Sequence, residues 1–312
     1  MVPQSNVVPA PRPASRDLWW LGVAVVAVST SAPLIQGADA PALAVAAWRN
    51  VLSLPVLGLF VLLRADRRGA WGARSSRDRW LSRGAGVFLA AHFATWIPSL
   101  SYTSVASSVA LVATQPVWAA LIARWRGQPV GGRTALGIGV AFAGIVVLTG
   151  ADLSVSSAAL FGDGLAMLGG MFAAAYVTVG AEVRRHVTTA VYALSCYGVA
   201  SLVLLVLCIS TDQAMTGYDR ETWLAIGGLV VGAQLLGHTL VNLVLRTLSP
   251  ALVSVAILFE ILGATGIAYL AFGEVPPAAV WPAAVLIVAG VVVVVRSRDD
   301  ANIAIESGGI LT

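Results

Sequence analysis

Two stripes of polar and aromatic side chains lie inside otherwise apolar stretches of this 312-residue chain. Phe88, His92, Trp96 and Ser99 recur at helical spacing, and so do Gln234, His238 and Asn242, so each set lines one face of a helix. Ser104, Ser108, Gln115 and Trp118 form a third line, and Phe172 and Tyr176 stand on a further segment. Polar groups in an apolar helix are costly unless they meet a partner or a wet cavity. Hydroxyl, amide, imidazole and indole groups in this setting outline where the interior of a bundle is wet and can hold a ligand. The binding set read from these stripes is His92, Trp96, Ser108, Gln115, Trp118, Tyr176, Gln234, His238 and Asn242. A lone histidine in such a helix also bonds simply to a neighbouring helix. A lone tryptophan is often an interfacial anchor, the reading given to Trp19, Trp20, Trp71, Trp80, Trp223 and Trp281. Trp96 differs, lying well inside its stretch one turn beyond His92, where an indole suits an aromatic or cation-bearing ligand.

Glu260 is read as the sole acidic residue deep within an apolar stretch, and Arg49 as the sole deep arginine. Isolating either charge there costs at least a few kcal/mol. Arg49 fits a structural pair or snorkelling toward the surface. Glu260 fits a structural pair equally well, or a coupling role in which it takes a proton or a substrate ammonium. Chemistry of other kinds has no foothold. There is no GxSxG, HExxH, CxxC or Walker A pattern, so the reading is a non-enzyme with no cofactor and no metal. Cys196 and Cys208 are twelve residues apart in one helical stretch, about 18 Å at the helical rise, and read as packing residues.

The elements that position these residues are long apolar runs. With 58% hydrophobic residues and 11% charged ones, and a mean hydropathy of +0.85, the chain is an all-α integral membrane protein rather than a soluble domain. Spans of bilayer length are expected near 18–36, 41–63, 84–103, 105–126, 134–150, 160–181, 190–210, 222–243, 249–271 and 277–295. They repeat. Asp17 and Asp163, His92 and His238, Gly127 and Gly273, and Ala143-Gly144 and Ala289-Gly290 share one offset of 146 positions. Residues 17–150 and 160–296 are therefore two five-span copies, flanked by irregular tails at 1–16 and 299–312. An odd number of crossings puts the second copy into the bilayer upside down, which makes ten transmembrane helices arranged as two inverted five-helix repeats. Gly139 with Ala143, Gly228 with Gly232, Gly169-Gly170 and Gly263 with Gly266 are the expected points of close helix packing.

The basic residues are 19 arginines and no lysine. Arg12, Arg16, the arginines of 64–83, Arg124, Arg126, Arg133, Arg184, Arg185, Arg246, Arg296 and Arg298 fall on one side of the ten-span layout, with Arg220 alone in an opposite loop. The positive-inside rule then places both termini in the cytoplasm. Asp39, Asp152, Asp212, Asp219, Glu221 and Glu274 fall in the outer loops. Arginines dispersed this way do not form the one-sided patch of a nucleic-acid binder, and the loop 64–83 reads as a solvated connector touching anionic lipid. The first span could pass for a secretory signal, but Asp17 and Ala27 have repeat partners in Asp163 and Ala173, so it is read as part of the fold.

The end of each copy carries a resemblance. Pro116-Val117-Trp118-Ala119-Ala120, Arg126-Gly127-Gln128 and Ala143-Gly144-Ile145-Val146-Val147 are echoed by Phe272-Gly273-Glu274 and Ala289-Gly290-Val291-Val292-Val293. In this the chain resembles the drug/metabolite transporter superfamily, in the branch built from two EamA-type five-span repeats, although members commonly show Gly-Glu where the first copy has Gly127-Gln128. The resemblance implies an inner-membrane carrier with a central cavity between the copies, working by alternating access. It also extends to bacterial exporters of amino acids, aromatic ones included. The reading is export of small metabolites, amino acids foremost, with the bilayer and a small molecule as partners and no oligomeric state set. Efflux of drug-like or quaternary cations, and a non-transporting scaffold or receptor, stay open beside it.

Reporter fusions after residue 298 and within 64–83 should both report cytoplasm, and a fusion within 212–220 should report periplasm. Opposite sides for the first two would break the ten-span layout.

Overall fold

The computed structural model describes residues 15–63, 71–72, 74–185, 187–237, 240–241, 244, 248, 253, 256–278 and 280–308. Among the described residues ten principal helical segments follow one another and no strand occurs. They are α1 (Ser15–Gln36), α2 (Ala42–Leu62), α3 (Ser76–Ser99), α4 (Val105–Trp125), α5 (Gly132–Val155), α6 (Ser157–Val183), α7 (Thr189–Ser210), α8 (Arg220–Gly228, running on as a π-helix through Leu229–Gly237), α9 (Glu260–Phe272) and α10 (Val280–Gly308). Seven of them are long and apolar enough to cross a membrane among the described residues. The protein is a multi-pass membrane protein built from two inverted five-helix repeats.

Local chemistry sets where the helices start and stop. Ser75 and Asp78 form a reciprocal capping box ahead of α3, and Ser104, Ser156 and Asp219 each accept a backbone N–H at the start of α4, α6 and α8. Gly127 and Gly273, the paired glycines of the repeat, take φ of +84° and +68° just after α4 and α9. That left-handed geometry closes a helix at little cost only for glycine. Glu274 next to it accepts from Val105 N at 2.8 Å and from Gln36 Nε2 at 2.8 Å, tying the ends of α9 and α1 to the start of α4. At the opposite end Arg77 pairs with Glu182 at 3.2 Å, and Arg74 Nη1 donates to Ser195 Oγ at 2.5 Å. The arginine-bearing and acid-bearing ends of the bundle are thus distinct.

Helix contacts follow the internal symmetry. α2 packs on α7, α4 on α9 and α5 on α10, each helix against its own counterpart, while α3 with α6 mirrors α8 with α1. The α5–α10 seam shows this at atomic detail. A Cβ on Gly144 would lie 2.8 Å from Ile287 N and 2.9 Å from Ala283 O. One on Gly290 would lie 2.6 Å from Gly137 O and also strike Ala141. Shifting the first contact set by the repeat offset gives the second, so a pseudo-two-fold axis passes through the seam. α3 and α6 approach equally closely, with Gly169 leaving room for Trp96, whose Cβ would otherwise be 2.9 Å away.

Several expectations shift. The third helix begins at Ser76 rather than near 84 and ends at Ser99 rather than 103, because the capping box starts it within the arginine-rich loop and Pro98 lies in its last turn. Residues 76–83, expected as connector, are helix. α10 continues to Gly308 through the segment read as an irregular tail, since no Gly or Pro interrupts the chain between Gly290 and Gly308. For the ninth span the described helix starts at Glu260, with much of 249–259 outside the described residues, as are 1–14. Gly139 and Ala143 do not mediate packing: Gly139 faces open space and Ala143 is exposed. A helix this rich in small residues carries several pairs four apart, and spacing alone does not pick the face.

Gly290→Ala should lower thermal stability in detergent by about 1–3 kcal/mol, because only backbone and packed side chain lie in the way. Gly139→Ala should leave the melting temperature unchanged or raise it. Equal loss in both would remove the seam from this role.

Candidate functional site

A cavity of about 280 Å³ opens between the two repeats, walled by α1 to α4 from one copy and α6 to α9 with the turn before α9 from the other. His92, Trp96, Gln115, Tyr176 and Glu260, five of the residues picked from the sequence, line it. His92 and Trp96 stand one turn apart on α3 with stacked rings, centroids 5.5 Å apart and 10° between planes. His92 Nδ1 lies 2.9 Å from Gly169 O. A carbonyl only accepts, so Nδ1 carries the proton in that contact. Tyr176 of α6 stacks on Tyr192 of α7 at 6.2 Å.

Two walls are helix ends. α4 is interrupted at Ala113 and Thr114, and a second half, Gln115–Trp125, starts with Pro116 in its first turn. The sequence reading expected this proline to bend the helix, and a first-turn position is where proline is tolerated. In the second copy a turn at Leu258 and Phe259 precedes α9, which starts at Glu260. The offset maps Thr114 onto Glu260, so both copies break their fourth helix at matching points. Ala113, Gln115, Leu258 and Glu260 all face the cavity. Glu260 sits in the first turn of its half-helix, where the free N–H groups and the dipole favour a carboxylate.

The remaining residues of the expected set are placed otherwise. Ser108 is fully buried and shares a 2.7 Å hydrogen bond with Ser99, joining α4 to α3 away from the cavity wall. Trp118 turns its indole N–H back to Thr114 Oγ1 at 3.0 Å and packs edge-on to Phe142 at 5.6 Å. Gln234 is buried and bonded on both sides of its amide, and is not part of the cavity wall. Its stripe assumed α-helical spacing, but residues Leu229–Gly237 form a π-helical turn, whose wider winding rotates successive side chains off an α-helical face. His238 and Asn242 lie outside the described residues, as does His186.

Arg49 was expected to form a structural pair or to snorkel toward the surface. It does not snorkel. It is 2% exposed, faces the cavity, and its Nε donates to Gln234 Oε1 at 2.8 Å. Gln234 Nε2 in turn donates to Ser53 Oγ at 3.2 Å, and Ser53 Oγ to Asn50 O at 2.6 Å. The guanidinium lies over the Phe93 ring at 4.3 Å, a cation–π contact between α2 and α3. Arg49 and Asn50 lie four and three residues before Ser53 and all three are buried, a polar stripe on α2 that the α3 and α8 patterns overshadowed. Phe93 and Tyr197 also line the cavity. No ion pair within 4.0 Å joins Arg49 to Glu260 among the described residues.

Away from the cavity, Asp152 and Asp163 are buried, although the first was expected in an outer loop and Glu260 was expected to be the sole acid deep in a span. Thr103 Oγ1 is 2.9 Å from Asp163 and 3.4 Å from Asp152. Its one hydroxyl proton goes to the nearer carboxylate, and the cluster fastens the α3–α4 turn to α5 and α6.

Replacing Gln234 by Leu strands Arg49 Nε without its acceptor and should cost about 1–3 kcal/mol of thermal stability. Ser108→Ala, outside the wall, should leave ligand binding unchanged. A melting curve for the first variant that overlays the parent protein would make the Arg49–Gln234 bond incidental.

The comparisons with known proteins follow the repeat. The model of the EamA-like transporter family matches residues 16–150 and again 160–296. No curated protein matches the chain. Among solved structures, one titled only as the crystal structure of a protein superimposes with a TM-score of 0.63, covering 90% of this chain and 97% of its own at 19% identity, which is a likeness of fold. With both halves matched by one family model, the chain belongs to the EamA-like transporter family and is a membrane transporter of the drug/metabolite superfamily.

Proposed function

We propose that this transporter exports small metabolites, amino acids foremost, from the cytoplasm of a bacterial cell by alternating access through the cavity between its repeats. The observation that carries the reading is the wall of that cavity. It combines a buried guanidinium, a carboxylate, an imidazole and several aromatic rings in about 280 Å³. That volume sits just below the usual range of small-molecule pockets, about 300 to 1,000 Å³, and favours a metabolite over a bulky drug. Efflux of cations is the weaker reading, because the aromatic surface that would suit a cation lies beside Arg49. A scaffold has no use for a polar cavity in mid-bundle, where such groups are costly.

Alternating access needs a fixed site between two bodies that rock. Here the two broken helices meet the cavity from opposite copies, so one motion of the second copy against the first would expose the same residues to either side. The dispersed arginines support an orientation with both termini cytoplasmic under the positive-inside rule. Glu260, on a half-helix end at the cavity, is suited to take a proton from one side and release it to the other.

Counterflow in proteoliposomes against a panel of amino acids and quaternary cations tests this directly. Uptake of labelled amino acid into amino-acid-loaded vesicles is expected, with no exchange for cations. Glu260→Gln should keep that exchange yet lose accumulation driven by a pH gradient. Gradient-driven uptake that survives the substitution would make Glu260 structural and the protein a facilitator.

A further inference from the structure

The donors facing the cavity are unevenly satisfied. Arg49 Nη1 and Trp96 Nε1 are buried, and neither has a hydrogen-bond partner among the described residues. Both side chains line the same cavity. Each can only donate, so what completes them is an acceptor. Leaving a charged donor buried without one is among the more expensive defects a fold can carry.

Arg49 is also held in place. Its Nε is fixed on Gln234, its plane lies over Phe93, and Gln234 is fixed on Ser53. The side chain is thereby oriented before any ligand arrives, with Nη1 as a remaining edge of the guanidinium fork. Trp96 is fixed as firmly, stacked on His92 and seated against Gly169. The half-helix Gln115–Trp125 adds a positive end to the same cavity, and no acidic side chain lies in its first turn. The matching half-helix of the other copy carries Glu260 at that point.

Resting on the export reading above, we propose that Arg49 is the specificity-determining residue of the cavity, its Nη1 binding the carboxylate of the substrate with Trp96 Nε1 as a second donor. The substrate class is then a small carboxylate-bearing molecule with an apolar or aromatic body. α-Amino acids satisfy it, and the corresponding amines do not. A carboxylate supplies two acceptor oxygens and a counter-charge, whereas a neutral carbonyl supplies only the hydrogen bond.

Three probes sharing one ring separate the possibilities: L-phenylalanine, 3-phenylpropanoate, which lacks the ammonium, and 2-phenylethylamine, which lacks the carboxylate. In counterflow of labelled L-phenylalanine with the full chain, 3-phenylpropanoate is expected to compete, and 2-phenylethylamine to be at least about tenfold weaker. Arg49→Gln should abolish this discrimination, and Trp96→Phe, which keeps the ring and removes the N–H, should weaken both carboxylates together. The parent comparison needs no variant, so it stands even where loss of the Arg49–Gln234 bond unfolds Arg49→Gln. Phenylethylamine competing as well as phenylalanine would overturn the assignment while leaving transport intact. If phenylalanine shows no counterflow, the amino-acid reading fails, and the inference is decided by melting temperature with 3-phenylpropanoate alone. A rise that Trp96→Phe diminishes supports it, and no rise overturns it.

Discussion

A bilayer offers a buried polar group no water to bond to, and the architecture follows from how each such group is answered. Most answers are local. Thr95, Thr149, Thr178 and Thr265 each return a hydroxyl proton to a carbonyl four residues back, which removes their cost without any partner helix. Others join helices, as with Ser99 and Ser108 or His92 and Gly169. Two of the groups left after these, Arg49 Nη1 and Trp96 Nε1, belong to residues that line the cavity. Arg49 is the extreme case, since a guanidinium 2% exposed holds its position through Gln234, Ser53 and Phe93, residues from three different helices.

Duplication gives this constraint its geometry. When the second copy is inverted, a helix that meets its own counterpart must do so near the symmetry axis, and close approach there demands small residues on both. Gly144 against Ala283 and Ile287, with Gly290 against Gly137 and Ala141, is that meeting point for the fifth helices. The fourth helices break on each side of the axis and turn their half-helix ends inward. Symmetry is then relaxed where chemistry differs: Thr114 and Glu260 occupy equivalent positions, one donating its hydroxyl proton to Leu111 O at the end of the preceding half-helix and the other presenting a carboxylate to the cavity.

Much of this was legible in the chain. Ten spans, their inversion and the arginine-bearing end follow from hydropathy, the constant offset and loop charge, all of which are properties of the sequence as a string. Trp96 and His92 were legible for the same reason, as an unbroken α-helical stripe whose spacing the structure keeps. What was not legible depends on which way a helix faces. Gly139 with Ala143 and Gly137 with Ala141 are the same pattern two residues apart, and only contact with α10 distinguishes them. The π turn at Leu229–Gly237 changes spacing without any marker residue, which turned Gln234 from an expected ligand contact into a partner for Arg49. For Arg49 the sequence leaves a structural pair and snorkelling side by side, since a long side chain can reach the surface, and only the burial of its neighbours Asn50 and Ser53 on the same face decides for the first.

The central claim is that substrate occupies the space between the repeats, and protection from labelling tests it most directly. A cysteine placed at Ala113, in the cavity wall, and one at Ala143, exposed on the outer face of α5, can each be reacted with a thiol reagent in membranes. The unsubstituted chain, with Cys196 and Cys208 buried, gives the background. L-Phenylalanine should slow labelling at position 113 and leave position 143 unaffected. Equal rates at 113 with and without the amino acid, under conditions where counterflow proceeds, would place the substrate outside this cavity and contradict the account.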